Sequence, residues 1–435
     1  MASQPQKIGL ITSTSYVIGN MIGAGIFVLP AVLAPYGSIS FLGWIFTSAG
    51  ALILAKIFGN FSKVIVNKSG GPYTYSKAGF GDFIGFLVAW GYWISIWVSN
   101  AALAITIVGA LSFFLPILDS DPIIRVSAGL SFIWLFTWIN TRGIKESGKV
   151  QVITTVLKLL PLVFVIIGGL FLFDINNFPA FNLTSEGNFA VFPIVAAATL
   201  YAFLGVESAS VPAANIENPG KTIPKATLLG TIIVALVYIL STFVLFGILP
   251  MDALANSPSP FAEAALLIGG NFGGYLVAGG IAIAAIGCLN GWVLFTGQIP
   301  MAASNDHLFP KIFGKLNKKG APAMGLIIGS SLTTVIMLMN LSDGLVDQFT
   351  FIAEIVVFSA LIPYLFVAAS YILVLIERKI HINSWVKSIV LGMLGIAYSL
   401  WAIYGIGEQS VFYGFLLLLL GIPFYVVMKW NKRND

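Results

Sequence analysis

Charged residues are scarce in this chain: Asp, Glu, Lys and Arg make up 9% of its 435 residues, while 58% are hydrophobic. Soluble domains carry about 25% charged residues, so the composition excludes an ordinary water-soluble protein. Apolar stretches long enough to cross a hydrocarbon core of about 30 Å recur from end to end. They predict an all-α integral membrane protein with one transmembrane domain, 1–435. The twelve predicted spans are 8–33, 40–63, 83–115, 122–141, 151–173, 190–213, 225–249, 273–303, 322–341, 348–376, 385–405 and 409–430.

Cysteine and histidine are almost absent, which removes several kinds of chemistry. The one cysteine, Cys288, excludes an internal disulfide, and its apolar surroundings predict a packed, inert thiol. The two histidines, His307 and His381, fall in predicted loops, so neither a metal site nor a histidine relay is expected. No nucleophile–base cluster and no P-loop of the form G-x-x-x-x-G-K-[ST] occurs. The chain is therefore not expected to be an enzyme or to need a cofactor, and any transport must run on solute or proton gradients.

Basic residues are nearly absent from one side of the predicted membrane. With the N-terminus placed in the cytoplasm, all of the 22 Lys and Arg residues except Arg125 and Lys158 fall in cytoplasmic loops, near cytoplasmic span ends or in the tails. This asymmetry is the positive-inside signature, and it predicts that both termini are cytoplasmic. The net charge of +5 thus reflects orientation in a cytoplasmic (inner) membrane and contact with lipid. It does not indicate a nucleic-acid partner.

Two spans carry a matching interruption. The first contains GAGIFVLP, with Gly23 seven residues before Pro30, and the sixth contains GVESASVP, with Gly205 seven residues before Pro212. An odd number of crossings separates them, so they enter the membrane from opposite sides. Paired interruptions of this kind mark transporters built from inverted repeats, with the site near the midplane. The predicted parts are a first inverted repeat at 8–173, a second at 190–376, and two additional helices at 385–430.

The stretch GNMIGAG in the first span combines weak helix formers with a membrane location. A break in lipid leaves N–H and C=O groups unsatisfied, at a cost of several kcal/mol each, unless a ligand or a wet cavity satisfies them. The helix that resumes after the break points its positive N-terminal end at an anion. The stretch therefore predicts a site for a small anionic group such as a carboxylate. The alternative is that these glycines only let two helices pack closely.

Two charged residues, Glu207 and Lys158, lie within spans and away from their ends. A charge at depth is a functional hypothesis by default, because its insertion costs about 2.5–3.5 kcal/mol. Glu207 could pair with a cationic substrate, sense protons or lock a structural hydrogen bond. Lys158 could couple transport to protons, stand as a fixed cation in place of a metal ion, or cap carbonyl groups of a broken helix. Both residues are candidates for proton coupling.

Aromatic residues at mid-depth add a way to hold an organic cation. Tyr201 lies six residues before Glu207, and Trp292 follows GCLNG in the eighth span. A desolvated cation–π contact is worth about 2 kcal/mol. A substrate-facing position is therefore predicted for Trp292 among its neighbouring glycines.

At these residues the chain resembles the amino acid–polyamine–organocation superfamily, most of all its arginine/agmatine and putrescine/ornithine exchangers. The similarity covers essentially the whole chain. The matching stretches are GNMIGAGIFVLP, SGGPYTYSKAGFG, TLYAFLGVESASV, ENPGKTIPKATLLGT, SPFAEA and the run from GWVLFTGQ to DHLFPKIFGKLNKKGAP. The resemblance implies twelve helices with a LeuT-like five-plus-five inverted repeat and helices one and six unwound at the site. It also suggests a homodimer.

Site roles follow from the resemblance by matched position. It implies that the Gly23–Gly25 backbone takes the substrate carboxylate and that carbonyls near Tyr201 and Leu204 face the α-amino group. It also implies that Asn100 and Trp292 contact the substrate side chain. A gate of three residues is implied beneath the substrate, with Trp292 on the outer side. The substrate-binding set is Met21, Gly23, Ala24, Gly25, Ser95, Ile96, Asn100, Leu103, Tyr201, Leu204, Trp292 and Val356; the gating set is Tyr92, Glu207, Trp292 and Tyr364.

Departures from the exchangers keep two functions open. Tyr201 stands where the arginine/agmatine exchanger has tryptophan, and Ala24 and Val356 stand where it has serines. Lys158 resembles instead the fifth-helix lysine of proton-coupled amino acid permeases. The first expectation is a secondary active transporter that exchanges a cationic amino acid of the arginine or ornithine type for its decarboxylated amine. The alternative is a proton-coupled symporter of neutral or broad-range amino acids that uses Lys158.

Overall fold

The computed structural model describes residues 7–23, 25–112, 114–257, 259–339, 345–377, 385–405 and 408–434. These residues are almost wholly helical and form no β-strand, apart from one isolated parallel bridge between Ile8 and Ile216. The α-helices are α1 Leu10–Met21, α2 Gly25–Leu33, α3 Ser40–Val64, α4 Pro72–Ser112, α5 Ile117–Ser120, α6 Pro122–Thr141, α7 Ile144–Phe171, α8 Asn188–Leu200, α9 Pro219–Ile248, α10 Met251–Ala255, α11 Pro260–Asn305, α12 Ala323–Met339, α13 Leu345–Glu377, α14 Trp385–Gly405, α15 Glu408–Leu419 and α16 Gly421–Asn434.

Nine helical segments in the described part of the chain are long and apolar enough to cross a membrane. Two further apolar helices, Asn188–Phe203 and Ala323–Met339, are shorter. An all-helical, multi-pass architecture is therefore confirmed, while the count of twelve spans stays a prediction. The nine segments are Gly25–Val64, Pro72–Ser112, Pro122–Thr141, Ile144–Phe171, Pro219–Ile248, Pro260–Asn305, Phe358–Glu377, Trp385–Tyr404 and Val411–Trp430.

The first span is interrupted where the sequence places its glycines. Helix α1 ends at Met21 and α2 begins at Gly25. Between them Ile22 leaves the helical region, with ψ at 83°, and the Gly23 amide turns back to the Met21 carbonyl at 2.9 Å. The chain then resumes as nine helical residues that contain Pro30.

The second interruption is longer than the sequence predicts. Helix α8 ends at Leu200, a 3₁₀ turn continues to Phe203, and Gly205 takes a φ of +105° that favours glycine. The predicted span runs to 213, but the chain forms irregular turns up to a 3₁₀ turn at Ala213–Asn215. Serine side chains favour this outcome, because they compete for backbone groups: the Ser210 hydroxyl and its amide both donate to the Glu207 carbonyl at 2.7 Å.

The two interruptions meet at the centre of the helical bundle. Around the first span, α1 packs against α7, α9 and α11, while α4 packs against both α11 and α13. A Cβ atom added to Gly205 would lie 3.3 Å from the backbone of Asn20, so the two segments are in close contact there. The packing thus brings two backbone breaks, far apart in sequence, to one place.

Candidate functional site

A cavity of about 50 Å³ lies between the two interruptions. It has walls from α1, α2, α4, α11 and α13 and from the turn that follows α8. Nine of the residues that the sequence predicts for the substrate site line it: Met21, Gly23, Gly25, Ser95, Leu103, Tyr201, Leu204, Trp292 and Val356. The other lining residues are Asn20, Ser99, Ala202, Cys288 and Ala360.

Two described residues of the predicted site are not part of this lining, and a third predicted residue cannot be compared with it. Ala24 lies outside the described residues. Ile96 and Asn100 are fully buried and do not line the cavity. The Asn100 side-chain amide instead donates to Thr296 Oγ1 at 3.0 Å. The residues of α4 that line the cavity recur every four positions, and this helical period alone would have predicted Ser99.

Lys158 caps the end of α1. Its side chain is completely buried on α7, and its Nζ donates to the Gly19 carbonyl at 2.8 Å and to the Ile22 carbonyl at 2.7 Å. The Gly19 carbonyl belongs to the last turn of α1, where no further helical amide follows to donate to it, and the Ile22 carbonyl lies in the interruption itself. Of the three interpretations drawn from the sequence, the geometry shows the capping contact; proton coupling stays a prediction.

Tyr238 joins the two interruptions. This fully buried residue of α9 places its hydroxyl 2.7 Å from the Met21 carbonyl and 3.0 Å from the Ala202 carbonyl. The sequence analysis did not single it out. The only available signal is that a phenol in an apolar span needs a polar partner, which does not tell where that partner lies.

Two side chains of α11 contact the Asn20 carbonyl. Cys288 Sγ lies 3.3 Å from it and Trp292 Nε1 donates to it at 3.4 Å. Cys288 is therefore more than a packing residue, since its thiol both contacts the broken backbone and lines the cavity. Trp292 lies at the cavity wall, as the sequence predicts, and is 7% exposed.

The amide end of the interruption faces the cavity. While side chains cover the carbonyls at the end of α1, the first-turn amides of α2 have no acceptor inside their own helix. Gly23 and Gly25 line the cavity at this positive helix end. A Cβ on Gly25 would lie 2.9 Å from the Tyr201 ring, so only glycine leaves this approach open.

Glu207, Tyr92 and Tyr364 form one buried group. The Tyr92 hydroxyl donates to one carboxylate oxygen of Glu207 and the Tyr364 hydroxyl donates to the other. The Gly205 amide donates to the Tyr364 hydroxyl at 3.2 Å, which ties the group to the second interruption. The Trp292 ring meets the Tyr92 ring edge to face, with centroids 6.4 Å apart. The three residues are thus in contact, and an aromatic pair links them to the cavity wall.

Polar side chains on one face of α7 form hydrogen bonds with α1 in the turns before the interruption. The Tyr16 hydroxyl donates to Ser147 Oγ at 3.0 Å, and Gln151 and Thr155 donate to the Ser15 carbonyl at 3.3 and 3.2 Å. Spacings of three and four residues place these side chains on the Lys158 face of α7. Any outward swing of α1 must break this series of contacts.

The chain segments that flank the interrupted spans also pair with each other. The Ile8 amide donates to the Asn215 carbonyl at 2.8 Å, and the Glu217 amide donates to the Ile8 carbonyl at 3.0 Å. Next to them, the Gly70 amide donates to the Val211 carbonyl at 2.9 Å. The N-terminal segment is thereby joined to the chain that follows the second interruption.

Together these features define a class: a multi-pass helical membrane protein whose two interrupted segments enclose a central cavity. The chain belongs to the amino acid permease family, whose model matches residues 8–424. Members of this family are membrane transporters, not enzymes, so the family resemblance and the non-enzymatic assignment drawn from the sequence are both confirmed.

Similar proteins match over nearly their whole length. The cadaverine/lysine antiporter of Escherichia coli K12 is 34% identical over 441 residues, which cover 100% of this chain and 97% of that protein. The putrescine transporter PotE of Haemophilus influenzae is 32% identical, with 99% of both chains covered. The arginine/agmatine antiporter of Chlamydia pneumoniae is 31% identical, with 99% of this chain and 91% of that protein covered.

Proposed function

We propose that this chain is a secondary active transporter that exchanges a cationic amino acid for its decarboxylated amine by alternating access. The observation that carries the proposal is the cavity between the two interruptions, whose lining includes the helix N-terminus at Gly25 and the aromatic rings of Tyr201 and Trp292. A zwitterion with a cationic side chain matches both features. The antiporters named above act on lysine, arginine or their amines, which supports the same substrate class here.

The proposed binding mode assigns one part of the substrate to each wall. The Gly23–Gly25 backbone takes the carboxylate, and Ala24 is the residue between these two glycines in the sequence. Carbonyl groups near Tyr201 and Leu204 take the α-amino group. Trp292 flanks the side chain, and Met21, Ser95, Leu103 and Val356 complete the lining.

Transport then requires gates on both sides of the bound substrate. Trp292 closes the outer side, and the group of Tyr92, Glu207 and Tyr364 closes the inner side. Around them we place twelve spans, both termini in the cytoplasm of an inner membrane, and inverted repeats at 8–173 and 190–376 with additional helices at 385–430. A homodimer is the assembly that the family suggests.

Exchange is tested in proteoliposomes preloaded with lysine, arginine or ornithine. Labelled cadaverine, agmatine or putrescine is added outside, so that every amine is tested against every preloaded amino acid, at acidic and at neutral pH. We expect uptake of at least one amine that depends on an amino acid inside, with little uptake into empty liposomes. Absence of saturable binding or uptake of every amino acid and amine would overturn the proposal.

A second candidate function is proton-coupled symport of neutral or broad-range amino acids. The observation that favours it is the completely buried ammonium of Lys158, held against the first interruption. Empty liposomes with and without an inward proton gradient separate the two functions, since only the symporter accumulates substrate under the gradient alone. Loss of gradient dependence in Lys158→Ala would support symport. Uptake that depends neither on the proton gradient nor on Lys158 would exclude the symporter.

A further inference from the structure

The described lining of the cavity offers no carboxylate to neutralise a second ammonium group. No Asp or Glu is among the described residues that line it. The nearby carboxylate of Glu207 already accepts hydrogen bonds from both tyrosine hydroxyls of its group. The distal amino group of a dibasic substrate must therefore find neutral acceptors or aromatic faces on the cavity wall, since a buried ammonium without partners is strongly disfavoured.

Ser99 offers such an acceptor. Ser95, Ser99 and Leu103 follow each other at four-residue spacing and line the cavity from one face of α4. The Ser95 hydroxyl donates to the Tyr92 carbonyl at 2.8 Å. The Ser99 hydroxyl makes no hydrogen bond with any residue that the structure describes. A free hydroxyl has two lone pairs for an ammonium group.

The position of Ser99 also fits the length of a lysine chain. Leu103 marks the carboxylate end of the cavity, because a Cβ on Gly23 would lie 3.7 Å from its Cδ2. One turn of α4 separates Leu103 from Ser99, which is about 6 Å along the helix axis. An extended lysine spans six bonds from its carboxylate carbon to Nζ, about 7.5 Å at about 1.25 Å of advance per bond, which brings its ammonium group nearer to Ser99 than to Ser95. Ser95 lies about 12 Å from Leu103 along the helix axis, which is farther than the extended lysine chain reaches.

We infer that Ser99 is a specificity-determining residue whose hydroxyl binds the distal ammonium of a dibasic amino acid or diamine. The inference rests on the proposed function and adds to it the group that separates dibasic from neutral substrates. Lysine and norleucine are the matched pair for testing it, because they have the same carbon skeleton and differ in the terminal amino group.

The experiment measures inhibition constants of lysine and norleucine in proteoliposomes that exchange a labelled amine. For Ser99→Ala we expect the constant for lysine to rise about tenfold and that for norleucine to stay within twofold, because one hydrogen bond to a charged group is lost. Ser99→Thr keeps a hydroxyl and should restore most of the selectivity. The matched control is Thr106→Val on the same helix, whose hydroxyl donates to the Ala102 carbonyl at 2.9 Å outside the cavity lining.

Three results overturn the inference. One is an equal change for lysine and norleucine in Ser99→Ala, which would indicate a packing role. Another is unchanged selectivity in a well-folded Ser99→Ala protein. The third is an unmodified chain that takes norleucine but no dibasic substrate, which overturns the proposed exchange function as well. Should Ser99→Ala fail to fold, Ser99→Thr and Ser99→Cys give the graded comparison.

Discussion

Removal of a single oxygen atom at Tyr238 tests whether the two interruptions act as one site. The phenol carries one hydrogen, so it donates to one carbonyl at a time. The Met21 carbonyl, at 2.7 Å, is nearer than the Ala202 carbonyl, at 3.0 Å. Tyr238→Phe keeps the ring and leaves a buried carbonyl without its donor, which costs about 1–3 kcal/mol.

The lost hydrogen bond destabilises the conformation of the interrupted backbone that lines the cavity. A change of 1.4 kcal/mol corresponds to tenfold in a dissociation constant, so we expect the Kd for the best amino acid substrate to rise about tenfold in Tyr238→Phe. The assay is equilibrium binding to purified protein, with thermal unfolding measured in parallel.

Tyr371→Phe is the matched control. Tyr371 is also fully buried, and its hydroxyl accepts a hydrogen bond from Asn60 Nδ2 at 3.1 Å, away from the cavity lining. It should lose comparable stability but bind substrate within twofold of the unmodified chain. Unchanged affinity in Tyr238→Phe, or an equal loss of affinity in Tyr371→Phe, would refute the reasoning.

Three further substitutions or reactions test the other contacts of the site. Lys158→Met removes the donor of two buried carbonyls and should lower the free energy of unfolding by about 2–5 kcal/mol; Lys149→Met on the same helix, 59% exposed, should change it by less than about 1 kcal/mol. A cationic thiol reagent should label Cys288, the single cysteine, and the labelling rate is measured by mass spectrometry. Saturating substrate should lower this rate at least fivefold; an equal rate with substrate would place the thiol outside the binding site. Gly25→Ala puts a methyl group against the facing ring and should weaken binding at least tenfold, whereas Gly187→Ala, with no atom within 4 Å of the new methyl, should bind normally.

The sequence was sufficient for the class of protein and for the location of the breaks. Scarce charge and long apolar runs indicate helices solvated by lipid, because both properties depend on composition alone. Gly23 and Gly205 mark the interruptions because glycine and proline act locally on the backbone. Glu207 and Lys158 stand out for the same reason: a charge inside an apolar run is visible without any knowledge of its neighbours.

The partners of those residues depended on packing between distant parts of the chain. Lys158 had three open interpretations, and the position of two carbonyls 136 and 139 residues away decides that it caps a broken helix. Tyr238 gave no sequence signal for its bridging contact. On α4, resemblance named Ile96 and Asn100, whereas the rotation of the helix turns Ser99 to the cavity. Sequence fixes where a backbone is weak and where a charge is buried, but the contact each makes follows from how the helices rotate and pack, which no local pattern contains.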